Sequence, residues 1–116
     1  MSVRGIRGAI TADANTKDEI IRRTRSLLSR IARENKLEIK EIASIVFTVT
    51  SDLDAEFPAV AARKLGWMDV PLLCGYEIDV PGSLRKCIRV LLHVNTESKQ
   101  SDIKHVYLRA AKKLRR

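Results

Sequence analysis

Apolar and polar positions alternate at the amino end of the chain. In Val3-Arg4-Gly5-Ile6-Arg7-Gly8-Ala9-Ile10, Val3, Gly5, Arg7 and Ala9 fall on one face and Arg4, Ile6, Gly8 and Ile10 on the other, the period of a β-strand. The period then lengthens. Thr16-Lys17-Asp18-Glu19 has the form of a capping box, with Thr16 accepting from the Glu19 amide and the Glu19 carboxylate reaching back to the Thr16 amide. Behind it, Ile20, Thr24, Leu27, Leu28 and Ile31 share one stripe while Arg22, Arg23, Arg25, Ser29, Arg30 and Arg33 point elsewhere, which predicts an amphipathic helix to about Asn35. Leu37 to Ile42 offers a short charged helical turn, and the β-branched and aromatic run Ala43 to Thr50 reads as a buried strand. Pro58 suits the first turn of a helix through Leu65, with Gly66 as its left-handed cap. Pro71 to Glu77 is extended, and Pro81-Gly82 marks a turn. Arg85 to Asn95 is the longest strand candidate, with Ile88, Val90, Leu92 and Val94 on one face and Cys87, Arg89, Leu91 and His93 on the other. After polar Ser98 to Asp102, His105 to Ala111 reads as a last strand, followed by the basic end Lys112-Lys113-Leu114-Arg115-Arg116.

The element order predicts an α+β (mixed α/β) fold: a five-stranded mixed sheet with two main helices on one face. With 116 residues, 45% of them hydrophobic, positions 1–116 suit one domain. Two helices do not cover both faces of five strands, so the bare face points to an oligomer. Apolar runs fall far short of the roughly 20 residues of a membrane-spanning helix, and Met1 to Gly5 is followed by no apolar signal core. A membrane partner is therefore not expected. Cys74 and Cys87 are too few for a disulfide framework, which fits free thiols in the cytoplasm. Twenty-two Lys and Arg against fourteen Asp and Glu give +8, which concentrates anions without choosing among them.

Arg7, Glu77 and Arg89 stand inside otherwise apolar strands. Such charges pair with each other, face solvent, or line a pocket whose ligand supplies the missing charge. Converging arginines would make a bidentate carboxylate site, and Glu77 would accept a hydroxyl or stabilise positive charge. Cys74 reads as an inert thiol before it reads as a nucleophile, since neither His93 nor His105 is near it in sequence. Two histidines without an acidic cluster predict no metal. Tyr107 suits a core aromatic or a ligand contact equally. The arginines from Arg22 to Arg33 lack the stacking aromatics of an RNA surface, aromatic residues being only 4% of the chain, and no glycine-rich phosphate loop follows Gly5 and Gly8.

Five segments occur together in one order: Arg4-Gly5-Ile6-Arg7-Gly8-Ala9, Phe57-Pro58-Ala59, Cys74-Gly75-Tyr76-Glu77-Ile78-Asp79-Val80, Leu84-Arg85-Lys86-Cys87-Ile88-Arg89-Val90 and His105-Val106-Tyr107-Leu108. In this the chain resembles the small monofunctional chorismate mutases of the AroH type along nearly its whole length. The resemblance implies an isomerase of phenylalanine and tyrosine biosynthesis that rearranges chorismate to prephenate without cofactor or metal. It also implies a homotrimeric pseudo α/β barrel with sites between subunits. By that likeness Arg7, Glu77 and Arg89 are catalytic, Arg89 reaching a carboxylate and the ether oxygen of the breaking bond. Leu73, Cys74, Gly75, Tyr76 and Glu77 would form a wall, and Tyr107 would reach the side-chain carboxylate. Phe57, Ala59 and Arg63 would come from the adjacent subunit, and Arg115 would order in the mobile tail from about 112 when ligand binds. Two positions depart from the family pattern: Val60 stands where a lysine is common, and Leu73 where a small polar residue is. The alternative reading is a small basic α/β module that grips RNA or another anion through its arginine-rich helix, with steep salt dependence as its signature.

Overall fold

Strand β1 (Ser2–Thr11) pairs antiparallel with β4 (Cys87–Thr96) over its whole length, from Ser2 opposite Thr96 to Thr11 opposite Cys87. The computed structural model describes residues 1–115 and places β2 (Ile42–Val49), β3 (Leu72–Tyr76) and β5 (Val106–Tyr107) around this pair. The sheet order is β3-β2-β4-β1-β5. Only β4 runs against the rest: β2 pairs with it antiparallel, while β3 is parallel to β2 and β5 parallel to β1. The longest predicted strand thus becomes the middle of the sheet, and its two-residue period decides both faces. Ile88, Val90, Leu92 and Val94 are buried under the helices, while Arg89, Leu91 and His93 face the other way and are not.

Helix α1 (Lys17–Glu34) buries the predicted stripe of Ile20, Thr24, Leu27, Leu28 and Ile31, and the short α2 (Ala59–Lys64) buries Ala61 and Ala62. Ile20, Leu27, Leu28, Ile31 and Ala62 join Ile6, Ile10, Ile45, Phe47 and Val106 in one core between helices and sheet, where each fully buried Ile, Leu or Phe is worth about 2 kcal/mol. Gly8 is where α1 comes closest: a Cβ there would lie 2.6 Å from Ile31 Cδ1 and 3.2 Å from Leu27 Cδ1. Gly66, at φ +87°, turns the chain out of α2 as a glycine at that position should. No described helix is long and apolar enough to cross a membrane.

Two local expectations are corrected. Thr16 does cap α1, its hydroxyl accepting from the Glu19 N–H at 3.1 Å, but the Glu19 carboxylate does not close the box on Thr16. It accepts instead from the Asp13 N–H at 2.8 Å, because β1 has ended and that amide has no ladder partner. The last strand is also shorter than predicted. It ends at Tyr107, and 109–114 coil into a 3-10 helix after Arg109 takes φ +57°. The Leu108 N–H still reaches Ala9 O, but the Ala110 N–H goes to the Thr11 hydroxyl. Arg109 then bonds Asp13, an ion pair that holds the left-handed turn and swings the tail back across β1. Of the predicted basic end, Arg116 lies outside the described residues.

Candidate active site

The helix-free face of the sheet collects the charges that looked out of place in the strands. Strand register puts Gly75, Thr48, Arg89, Ala9 and Tyr107 in one row across β3, β2, β4, β1 and β5. Arg7 and Leu91 stand opposite one another in the adjoining row, with Val46 and Leu73 beyond. Glu77 follows β3, its N–H extending the ladder to Val49 O. The period of two brings its side chain back to the face of Leu73 and Gly75.

Glu77 and Arg89 meet there. Arg89 Nη1 donates to Glu77 Oε1 at 2.9 Å, and the Thr48 hydroxyl donates to Glu77 Oε2, so both carboxylate oxygens are occupied. Arg89 commits only this one N–H among the described residues, leaving the rest of its planar fork for a ligand. The pair is only partly withdrawn from water, with side-chain exposures of 43% for Arg89 and 25% for Glu77. The loop between them is tied down separately. Arg85 bonds Asp79 at 2.9 Å, and Asp52 accepts from the Lys86 N–H at 2.9 Å. Arg7 has no carboxylate partner among the described residues.

These side chains border two connected depressions. A groove of about 280 Å³ is lined by Arg7, Val46, Thr48, Glu77, Arg89, Leu91 and Tyr107. Beside it, a cleft of about 780 Å³ shares Arg7, Arg89 and Tyr107 and adds Lys104, His105, Lys113, Arg115 and Glu34. Cations outnumber carboxylates in the cleft, an arrangement complementary to a small ligand with more than one negative charge. Thr48, Lys104 and Lys113 were not singled out from the sequence. Thr48 carried a usable signal, its parity with the outward face of β2, whereas the lysines are ordinary exposed basic residues.

The remaining candidates form a second group within the chain. Phe57, Cys74, Gly75 and Tyr76 line a separate depression of about 480 Å³, with Phe57 and Tyr76 largely exposed. Cys74 packs toward the helix side, next to Ala59, and does not border the Arg7 and Arg89 cleft. Leu73 is exposed on the open face. Arg63 closes the end of α2, its Nη1 donating to Trp67 O at 3.1 Å and to Met68 O. Val60, the departure from the family pattern, is half-buried in α2. Burial pushes both thiols up, Cys87 to about 11, so neither is a thiolate near neutrality.

Among the described residues, a small α+β fold thus carries a clamped arginine–carboxylate pair, a second arginine without a carboxylate partner and two thiols raised by burial, the features of an enzyme class that binds small anions. The particular family follows from comparison. The chorismate mutase type I family model matches residues 3–116, and the chain belongs to that family. It is 49% identical over 114 residues to chorismate mutase AroH of Thermus thermophilus, covering 97% of this chain and 93% of the relative. Against chorismate mutase AroH of Bacillus subtilis (strain 168) it is 46% identical over 109 residues, or 93% and 86% of the two chains. A solved structure of chorismate mutase from Clostridium thermocellum superposes with a TM-score of 0.92 at 59% identity, covering 93% of this chain and 96% of that one. The protein is thus an isomerase, a chorismate mutase, and the alternative of an RNA-binding module finds no support.

Proposed function

We propose that this chorismate mutase rearranges chorismate to prephenate on the open sheet face, with Arg89, Glu77 and Arg7 as the catalytic groups. The observation that carries the reading is the Arg89–Glu77 pair, a guanidinium and a carboxylate 2.9 Å apart at the edge of a cation-rich cleft. In the rearrangement the C–O bond breaks ahead of C–C formation, so negative charge grows on the ether oxygen and positive charge on the ring. A guanidinium at the first and a carboxylate at the second stabilise that separation more than they stabilise the substrate. Arg89 donates to the ether oxygen and to a substrate carboxylate with the N–H groups that Glu77 leaves free. Glu77, held by Thr48, faces the ring and its hydroxyl. Arg7 and Tyr107 hold the carboxylates in a compact, chair-like conformer, which removes part of the barrier by orientation. Arg115, at the rim of the cleft, closes over bound ligand. No proton transfer, nucleophile, metal or cofactor is required by a pericyclic step.

The site is completed in a homotrimer whose sheets form a pseudo α/β barrel. Phe57, Ala59 and Arg63 lie apart from Arg7 and Arg89 within one chain, and an adjacent copy would bring its own set to the open cleft. Leu73, Gly75, Tyr76 and Cys74 would then line the wall between the two. The open face supports this, since Val3, Leu73 and Leu91 are exposed on it. The setting is cytoplasmic, in keeping with the two free thiols. Arg89→Lys tests the chemical assignment. It keeps the charge but loses the fork, and kcat is expected to fall by about two orders of magnitude; turnover close to wild type would contradict the role given to Arg89.

A further inference from the structure

A ring nitrogen stands where the sheet would ordinarily supply a carbonyl. β5 pairs with β1 only at Gly8 and Ala9, so the Arg7 N–H, which precedes that ladder, has no strand partner on the β5 side. It donates instead to His105 Nδ1 at 2.9 Å. An imidazole accepts at Nδ1 only when neutral and carrying its proton on Nε2. The same ring borders the cleft next to Arg7.

We propose that His105 is a positioning residue for Arg7, its neutral ring fixing the strand edge from which Arg7 reaches the substrate and its protonation releasing that edge in acid. The inference rests on the assignment of Arg7 to the substrate site. Protonation would turn an acceptor into a donor facing a donor, leave the Arg7 N–H unsatisfied, and place a second cation against the guanidinium. The charged and titratable groups that share the two depressions bordered by the ring are Arg7 from β1, Arg89 from β4, Tyr107 from β5, Arg23, Arg30 and Glu34 from α1, and Lys104, Arg109, Lys112, Lys113 and Arg115 from the flanking segments. Cations dominate this set, with Glu34 opposing them. Partial burial and the Arg7 guanidinium both hold the imidazole below its ordinary range, so the required neutral form prevails at neutral pH.

The rearrangement involves no proton transfer, so an acid limb that falls below the ordinary imidazole value of about 6.5 and disappears when the ring is replaced belongs to His105. The experiment is the pH profile of kcat/KM for the full-length wild type, His105→Asn, His105→Ala and Arg7→Ala, with chorismate as substrate. The Asn amide oxygen can replace Nδ1 as acceptor but does not titrate. His105→Asn is therefore expected to retain more of the neutral-pH kcat/KM than His105→Ala does, and to lose the limb. His105→Ala is expected to fall about tenfold at neutral pH, more through KM than kcat, because Arg7 holds a carboxylate whose charge does not change in the step. Nitrogen NMR of the wild type should show Nδ1 unprotonated at pH 7. An acid limb that persists in His105→Asn, or a proton on Nδ1, overturns the inference. Wild-type kcat/KM in Arg7→Ala would overturn the site assignment and this inference with it. Loss of activity in Arg7→Ala beside an unchanged limb in His105→Asn overturns the inference alone.

Discussion

Glu77 is held by Arg89 and Thr48 at once, so the sign of its charge and its orientation can be tested separately. Glu77→Gln keeps the shape and removes the charge that opposes the developing ring cation; kcat is expected to fall by about two orders of magnitude with KM changed much less. Thr48→Val keeps the shape and removes one donor, and should cost about tenfold or less. Steady-state kinetics on the two variants checks both, and a Thr48→Val defect as large as that of Glu77→Gln would mean that orientation, not charge, dominates. Arg7, Glu77 and Arg89 were legible in the sequence because a charge inside an apolar strand needs an explanation. Thr48 was only half legible: its parity puts it on the outward face of β2, but a threonine in a β-branched run gives no reason to look for chemistry there. Cys74 shows what strand parity adds: three residues from Glu77, it falls on the opposite face, and no inspection of residue type alone separates them.

At the scale of the elements, α1 is the part most completely written in the sequence. Its cap and all five buried positions fall where the pattern puts them. What the pattern missed is the reach of Glu19, whose carboxylate holds the Asp13 N–H as well as Arg22 and Arg23. The Asp13 N–H bond foremost, with Arg23 beside it, lowers the Glu19 pKa from 4.5 to about 2. A depressed folded-state value means stability that is present above the unfolded pKa and lost as pH falls from about 4.5 toward 2. Glu19→Gln should accordingly lower the Tm at pH 7, and the gap to wild type should close as pH is brought down through that window. Thermal unfolding across pH measures it, and a gap constant with pH would contradict the assignment. Gly8→Ala tests the helix–sheet contact, where the new methyl meets Ile31 at 2.6 Å and the Val106 carbonyl at 3.2 Å. Overpacking of this kind costs about 1–3 kcal/mol, a Tm loss of several degrees. The shortening of β5 was not legible, because it depends on where β1 ends and on an Arg109–Asp13 contact nearly a hundred residues apart in sequence.

For the whole molecule, the sheet order β3-β2-β4-β1-β5 gathers Arg7, Glu77, Arg89 and Tyr107 from four strands or strand ends onto one uncovered face. Phe57, Ala59 and Arg63 remain elsewhere. Sites shared between copies make a specific prediction. Inactive Arg89→Ala and Arg63→Ala proteins, unfolded together and refolded as a mixture, should regain activity at about a quarter of their sites, those where each copy supplies the residue the other lacks. Light scattering should give three chains per particle. Mixtures no more active than their parts, or a fully active monomer, would exclude a shared site. Both faces of the sheet could be read from periodicity, whereas the meeting of distant charges required the strand register. The central claim, electrostatic catalysis by the Arg89–Glu77 pair, is tested most directly by following the loss of chorismate ultraviolet absorbance with purified wild type beside Arg89→Ala, with the product identified as prephenate. Rapid conversion by the wild type, reduced at least a thousandfold or so in a folded Arg89→Ala protein, is the expected result; comparable conversion by both would contradict the account.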